Sequence, residues 1–273
     1  MSAPADRVQA PFGTREVTIN GTEKIGPYRV FSCTDAEGPQ PTAGQFYMLA
    51  SSERWGGGSD ERPYLPRAIS VLAAGDQQLS FVLEGVGPGT ERLAELEQGD
   101  GLQILGPLGN GFNAPQAGVR AILCGGGIGV APLAMLQHEL IAQRHEVTAL
   151  LGFRDLEHAA GAEFLDAAQV ATDDGAVGHA GLVTELLQAE LGRDANAVIY
   201  SCGPPQMLEA VRAIAVESGV PAQLALEAPM ACGYGACYGC VVKWADGSLR
   251  RSCVDGPVVE AGELAADWLV GAS

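Results

Sequence analysis

Four cysteines in this 273-residue chain follow the spacing Cys232-x4-Cys237-x2-Cys240-x12-Cys253. A [2Fe–2S] cluster needs four thiolates, two per iron, and a C-x4-C-x2-C run with a distant fourth cysteine is one of its recurrent ligand spacings. The intervening Ala231, Gly233, Gly235, Ala236 and Gly239 are small. Small residues let backbone N–H groups turn toward the sulfurs, which raises the reduction potential. A structural zinc site is the other reading of four cysteines. Zinc ribbons usually carry two C-x2-C pairs, however, and Cys253 stands without a close partner. Cys33, Cys124 and Cys202 fall in or beside apolar runs and read as buried small residues.

A second group of residues is suited to phosphate. Gly125, Gly126, Gly127, Ile128 and Gly129 follow an apolar run and precede a helical pattern with Leu133, Leu136 and Leu140 on one face. Bare amides at a helix N-terminus suit a pyrophosphate, and glycine permits close approach. The same turn also serves a purely structural crossover, and it is not the G-x-G-x-x-G fingerprint. Arg154 and Asp155 close the next strand pattern and leave the choice between a ribose hydroxyl and a 2′-phosphate open.

A third group is Arg67, Ala68, Ile69 and Ser70, with Gly89 and Thr90 opening a short helix about twenty residues later. An arginine and a serine at this spacing reach a phosphate or a flavin ring, and the helix start holds a second phosphate. An exposed strand arginine and an ordinary capped helix would give the same pattern.

The elements that must position these residues fall into segments. From residue 14 to about 113, short apolar runs recur between Gly, Pro and Asp turns, the pattern of an antiparallel β-barrel. One helix interrupts it, with Thr90 as its expected N-cap. Residues 114–225 alternate strand and helix patterns: strands over 119–124, 146–153 and 198–202, helices over 182–191 and from Pro204 and Pro205 onward. That is a doubly wound α/β domain. Residues 226–273 are glycine- and cysteine-rich and form a small third module, and residues 1–13 are a leader.

Composition excludes several classes. Apolar residues make up 47%, enough for a packed core, so the chain is not disordered as a whole. There are 33 acidic and 16 basic residues, a net charge of −17, which opposes nucleic-acid binding through the general field. The start of the chain lacks a basic segment followed by an apolar one, so no signal peptide is expected. The longest charge-free apolar stretch, residues 121–137, is broken by four glycines and Pro132. The expectation is a soluble, cytoplasmic protein without a membrane segment, a compartment that disfavours disulfides.

Taken together, these segments resemble the ferredoxin–NADP reductase superfamily. More closely they resemble the family of electron-transfer subunits of two-subunit, NAD-dependent (class 1B) dihydroorotate dehydrogenases. The resemblance rests on residues 67–70, on G-P-L-G-N-G-F at 106–112, on residues 125–132, on Cys202, Gly203 and Pro204, and on M-A-C-G-Y-G-A-C-Y-G-C at 230–240. It covers nearly the whole chain outside the leader. It implies an FAD barrel at 14–113, an NAD-binding α/β domain at 114–225 and a [2Fe–2S] module at 226–273.

The resemblance implies that FAD is bound by Arg67, Ala68, Ile69, Ser70, Val82, Leu83, Glu84, Gly89 and Thr90. Ala68 departs from the pattern, where proline is usual. NAD falls to Gly125, Gly126, Gly127, Ile128, Gly129, Cys202, Gly203 and Pro204, and the cluster to Cys232, Cys237, Cys240 and Cys253. A partner FMN subunit would oxidise dihydroorotate to orotate, a step of pyrimidine biosynthesis. Its electrons would pass through the cluster and FAD to NAD⁺, within a heterotetramer. No side chain of this chain is expected to act as acid or base, so no catalytic residue is assigned.

Other readings remain open. One is a flavin/iron–sulfur subunit of a transhydrogenase- or sulfhydrogenase-type complex. Another is a reductase feeding an oxygenase, though such enzymes have a longer gap before the fourth cysteine. The third is a zinc-stapled nucleotide-binding regulator.

Overall fold

The computed structural model describes residues 13–56 and 63–268. All but the last residue of the expected 1–13 leader lie outside these. Six strands form a closed antiparallel barrel: β1 (Arg15–Ile25), β2 (Tyr28–Thr34), β3 (Phe46–Ser51), β4 (Arg67–Gly75), β5 (Gln78–Glu84) and β6 (Gly101–Leu108). Their order is β1-β2-β5-β4-β3-β6, and β6 closes on β1 through Arg15 to Thr18. Phe31, Tyr47 and Phe81 fill the interior with almost no exposure. The Tyr47 and Phe81 rings meet edge to face at 5.5 Å. Closure leaves no free edge in this β segment.

Helix α1 (Pro88–Ala94) joins β5 to β6. It begins two residues before the expected cap. Pro88 supplies the fixed φ that suits a first helical turn. Thr90 therefore lies inside that turn, where its Oγ1 accepts the Val86 N–H at 3.0 Å.

A seven-stranded sheet follows, built from β7 (Arg120–Gly126), β8 (Val147–Phe153), β9 (Gln169–Thr172), β10 (His179–Ala180), β11 (Ala197–Cys202), β12 (Ala222–Ala225) and a late strand, β15 (Val258–Glu260). Its order is β10-β9-β8-β7-β11-β12-β15, and every pair is parallel except β12 with β15. Helices α2 (Val130–Ala142), α3 (Val183–Arg193) and α4 (Pro205–Ser218) cover the sheet. On α2, Leu133, Leu136 and Leu140 are buried in one core with the barrel's Phe31, Tyr47 and Phe81. A second core unites α3, α4, Trp244 and Trp268.

The C-terminal segment carries a hairpin of β13 (Val241–Lys243) and β14 (Leu249–Arg251), then a single helical turn, α5 (Ser252–Asp255). Two contacts fasten it to the rest of the chain. β15 adds an antiparallel edge to the nucleotide sheet, with Leu224 opposite Val259. The outer face of β3 packs Phe46 and Met48 against Cys240 and Cys253. This second contact explains why β3 is buried at every position, whereas β1 alternates. No helix among the described residues is long and apolar enough to cross a membrane.

Candidate flavin, nucleotide and cluster sites

The central feature is a cavity of about 580 Å³ where the three segments meet. That volume lies within the roughly 300–1,000 Å³ of small-molecule and cofactor sites. The barrel contributes Ala68, Ile69 and Ser70 from β4, Val82, Leu83 and Glu84 from β5, and Thr90 from α1. The nucleotide sheet contributes Ile128, Gly129 and Cys202, and the C-terminal segment Glu227 to Met230 and Pro257. Seven residues expected to share one cofactor, Ala68 and Thr90 being 22 positions apart in sequence, thus line one space.

Arg67 and Gly89 flank this space as a packed pair. A Cβ on Gly89 would stand 2.3 Å from the Arg67 Cζ, so glycine leaves room for the guanidinium against the helix start. Arg67 Nη1 donates to the Leu65 carbonyl at 2.5 Å, and the guanidinium lies 5.8 Å from the Trp55 ring centroid. The residues present fit FAD: apolar walls from Ile69, Val82 and Ile128, hydroxyls from Ser70 and Thr90, and a cation at the helix start.

The nucleotide motifs converge for a topological reason. The sheet order reverses between β7 and β11, so their C-terminal ends open a crevice, the usual ligand position in open α/β sheets. Cys202 stands opposite Gly125 in register there. The glycines do different work. A Cβ on Gly129 would fall 2.2 Å from the Cys202 carbonyl oxygen, and one on Gly126 would fall 2.6 Å from Met207 Sδ. A Cβ on Gly203 would meet Met207 Cε at 2.7 Å, and one on Gly125 would meet Leu133. These four glycines let the strand ends and helices approach one another. Gly127 is different: its φ is +52° and nothing lies within 4 Å of its missing side chain. Its backbone faces open space, as approach by a pyrophosphate requires.

At the end of β8, Asp155 Oδ1 accepts the His158 N–H at 2.9 Å and lies 2.6 Å from its Nδ1. These contacts hold the Asp155 carboxyl below the usual carboxylate range. Arg154 Nη2 reaches Glu84 Oε1 at 3.3 Å. Both side chains that were expected to face the adenosine ribose therefore already have protein partners.

Glu227, which sequence reasoning missed, follows β12 into the cavity. Protein crowds its carboxyl, and that desolvation raises its pKa. Its charge also acts on Cys202, whose thiol burial has already pushed well above the ordinary range. The available signal was an acidic residue three positions before Met230, at the point where the strand pattern gives way to the cysteine loop.

Cys232, Cys237 and Cys240 lie in this loop, and Cys253, on the turn α5, is buried in the same apolar cluster as Cys240. Among the described residues, no three His, Cys, Asp or Glu side chains converge on a point that would hold a single metal ion. Four cysteines in this spacing are a donor set that fits a two-iron cluster, two thiolates per iron. Burial alone would raise the Cys232 pKa. The N–H groups of Cys237, Tyr234 and Ala236 and the Cys237 thiol outweigh it, bringing it down to about 6. Cys253, more enclosed and beside Cys240, is pushed up to about 12. Gly233 and Gly235 take φ of +79° and +89°, which turns the loop's amides inward. A Cβ on Gly233 would meet Met48 Cγ at 2.5 Å, so the loop lies directly on β3. Cys33, Cys124 and Cys202 are buried free thiols.

A barrel with a flavin-sized cavity, a nucleotide sheet and a cysteine loop define a flavin reductase of the ferredoxin–NADP reductase type with an added iron–sulfur module. Comparisons with known proteins agree. Residues 227–265 match the family model of the iron-sulfur cluster binding domain of dihydroorotate dehydrogenase B. The dihydroorotate dehydrogenase B (NAD(+)) electron transfer subunit of Clostridium acetobutylicum is 38% identical over 224 residues, 81% of this chain and 85% of that protein. The protein of the same name from Bacillus caldolyticus is 41% identical over 217 residues, covering 74% and 80%. The chain belongs to this family of electron transfer subunits.

Among solved structures, the NADH-dependent reduced ferredoxin-NADP oxidoreductase studied for flavin-based electron bifurcation superposes with a TM-score of 0.79. It is 26% identical and covers 95% of this chain and 93% of that one. A ferredoxin NADP+ reductase from Neisseria gonorrhoeae shares the fold, with a TM-score of 0.62 at 21% identity, covering 76% and 92%.

Proposed function

We propose that this chain is the electron-transfer half of a two-subunit, NAD-dependent dihydroorotate dehydrogenase. The observation that carries this is the cavity shared by three segments. Its walls include Ile128, Gly129 and Cys202 from the nucleotide crevice, and Met230, two residues before Cys232, from the cysteine loop. A cofactor held there has a nucleotide site on one side and a metal site on the other. When bound, FAD exchanges electrons singly with a [2Fe–2S] cluster and in pairs with NAD⁺, and so joins the two.

In this reading the chain's own residues bind and orient. Arg67, Ser70 and Thr90 hold phosphate and ring, while Ala68, Ile69, Val82, Leu83 and Glu84 shape the wall. Gly127 admits a pyrophosphate beside Gly125, Gly126, Ile128, Gly129, Cys202, Gly203 and Pro204. Cys232, Cys237, Cys240 and Cys253 would hold the cluster. Segments 14–113, 114–225 and 226–273 are the three working units, the last clamped to both others by β15 and β3. Tyr234 and Tyr238, each 61% exposed beside the cysteines, suit the face that meets an FMN-containing catalytic subunit in a heterotetramer. The chain is read as cytoplasmic.

The test is purification from native cells with identification of bound cofactors and partner. FAD, two irons and a dihydroorotate-oxidising FMN protein are expected. The similarity to the bifurcating oxidoreductase favours a second reading, a subunit of another flavin complex. A different large flavoprotein as the partner would establish that reading instead.

A further inference from the structure

Three residues lining the cavity titrate: Glu84 on β5, Cys202 on β11 and Glu227 just past β12. The remaining lining residues carry no charge. Glu84 is engaged, its Oε1 lying 3.3 Å from Arg154 Nη2 and 3.2 Å from His158 Nε2. The buried Cys202 thiol is pushed well above its ordinary range and keeps its proton. Glu227 is different. Among the described residues, no donor or cation pairs with its carboxylate. Desolvation raises its pKa, yet the residue retains an exposed side.

Strand register fixes its place. Cys202 stands opposite Gly125 on one side and Ala225 on the other. The Leu226 N–H donates to the Pro257 carbonyl at 2.9 Å, which holds the chain at the end of β12. Glu227 follows, where the nucleotide crevice opens into the cavity.

The two ends of the electron path differ in what they carry. A [2Fe–2S] cluster passes electrons singly and without protons, whereas NAD⁺ accepts a hydride, two electrons with one proton. One proton must therefore enter the cavity for every NAD⁺ reduced.

We propose that Glu227 is the acid that supplies this proton. Its O–H bond breaks as the electrons arrive, and the proton passes to the flavin ring. The proton then leaves with the electron pair as the hydride, and the carboxylate takes another from solvent at its exposed side. Two electrons and one proton enter, and one hydride leaves. In the reverse direction the carboxylate accepts the proton. The inference rests on reading the cavity as the flavin site. An acid that desolvation holds protonated closer to neutral pH is matched to such a transfer.

The experiment injects electrons into the full-length holoprotein from photogenerated deazaflavin radicals. Proton uptake is followed with a pH-indicator dye in weak buffer, alongside the flavin absorbance. Wild type is compared with Glu227→Gln, Glu227→Asp and Glu84→Gln. A wild type that binds no FAD overturns the cavity reading and this inference with it. With FAD bound, Glu227→Gln is expected to take up the proton about 100-fold more slowly, the lower range of what a positioned acid supplies. Flavin reduction by NADH, which brings its own proton, is expected to slow far less, and Glu84→Gln to delay uptake far less. A Glu227→Gln uptake rate equal to the wild type refutes the proposal while leaving the cavity reading intact. So does an equal slowing of uptake and of reduction by NADH, which would assign the effect to cofactor placement. An equal delay in Glu84→Gln refutes it as well. If Glu227→Gln retains no FAD, Glu227→Asp decides. Its shorter acid is expected to slow uptake and move the pH profile, and a rate and profile equal to the wild type there refute the proposal.

Discussion

Glu84 on β5 and His158, five residues beyond β8, stand 3.2 Å apart from Oε1 to Nε2, and the contact braces the barrel against the nucleotide sheet. Asp155 holds the other ring nitrogen, and the Tyr28 hydroxyl donates to the His158 carbonyl at 3.1 Å. The ring is buried between these partners. Replacing His158 with alanine leaves Arg154 as the remaining partner of Glu84 and Asp155 and empties the joint. The loss of buried hydrogen bonds is expected to cost about 1–3 kcal/mol. A lowered Tm together with a raised KM for NADH, kcat being less affected, is the expected pattern.

The same brace bears on cosubstrate choice. The charge of Asp155 would oppose a 2′-phosphate, and an unpaired Arg154 would favour one. Arg154 is instead drawn toward Glu84 and Asp155. NADH is therefore expected to give a higher kcat/KM than NADPH. Glu84→Gln, assayed at saturating FAD, loosens the hold on Arg154 and should narrow the gap by up to about tenfold, the worth of one charge-assisted hydrogen bond of ~1.5 kcal/mol. Parallel diaphorase assays with both cosubstrates check this. An unchanged ratio would show that Arg154 does not face the ribose.

Two glycine substitutions should separate binding from folding. A Cβ on Gly89 meets the mobile end of Arg67, so Gly89→Ala is expected to weaken FAD retention with little change in Tm. A Cβ on Gly129 meets the backbone of Cys202 and Gly203, which cannot swing aside. Gly129→Ala should therefore destabilise by about 1–3 kcal/mol. Thermal melts and FAD content after gel filtration distinguish the two.

Cys237→Ser is expected to lose the iron while keeping most of the FAD, because Cys237 is exposed at the loop tip and does not line the cavity. Full iron and sulfide in that variant would remove Cys237 from the ligand set. Cys240→Ser, reconstituted with its partner, should keep NADH–dye activity and lose dihydroorotate-dependent NAD⁺ reduction. The wild-type rate in that complex would take the cluster off the path.

In the metal-free chain the thiols should alkylate unequally. Cys232, at about 6, is mostly thiolate at pH 7, and its labelling should slow as the pH falls through 6 and protonates the sulfur. Cys33 and Cys124, pushed by burial to about 12, should stay unlabelled until the protein unfolds. Mass spectrometry after a short iodoacetamide pulse at pH 5 and pH 7 reads this directly. Equal labelling of Cys124 and Cys232 at pH 7 would contradict it.

Much of the architecture was legible from patterning. The short alternating runs anticipated the barrel, and Leu133, Leu136 and Leu140 marked the buried face of α2. The helix expected over 182–191 runs over Val183–Arg193, and the strand expected over 198–202 over Ala197–Cys202. The small late elements were not legible. β10 has two residues and β15 three, too few for any periodicity, and both exist only because a neighbouring strand offers free hydrogen-bonding groups.

The sequence by itself determined the chemistry. Cysteine spacing, the Arg67–Ser70 segment and the glycine turn are local features, and local residue order is enough to specify thiolate donors and bare amides. Tertiary structure alone decided which of those residues meet. Gly125 and Cys202, separated by 77 positions, lie side by side because β7 and β11 are parallel neighbours at the point where the strand order reverses. Glu227 enters the cavity only because β12 ends there. Arg251 reaches the Gly235 carbonyl only because the β13–β14 hairpin folds back over the loop. The seat of the cysteine loop on the barrel likewise comes from burial of Phe46, Met48, Cys240 and Cys253 in one apolar cluster. Burial is non-directional, so sequence spacing does not encode which surfaces it brings together.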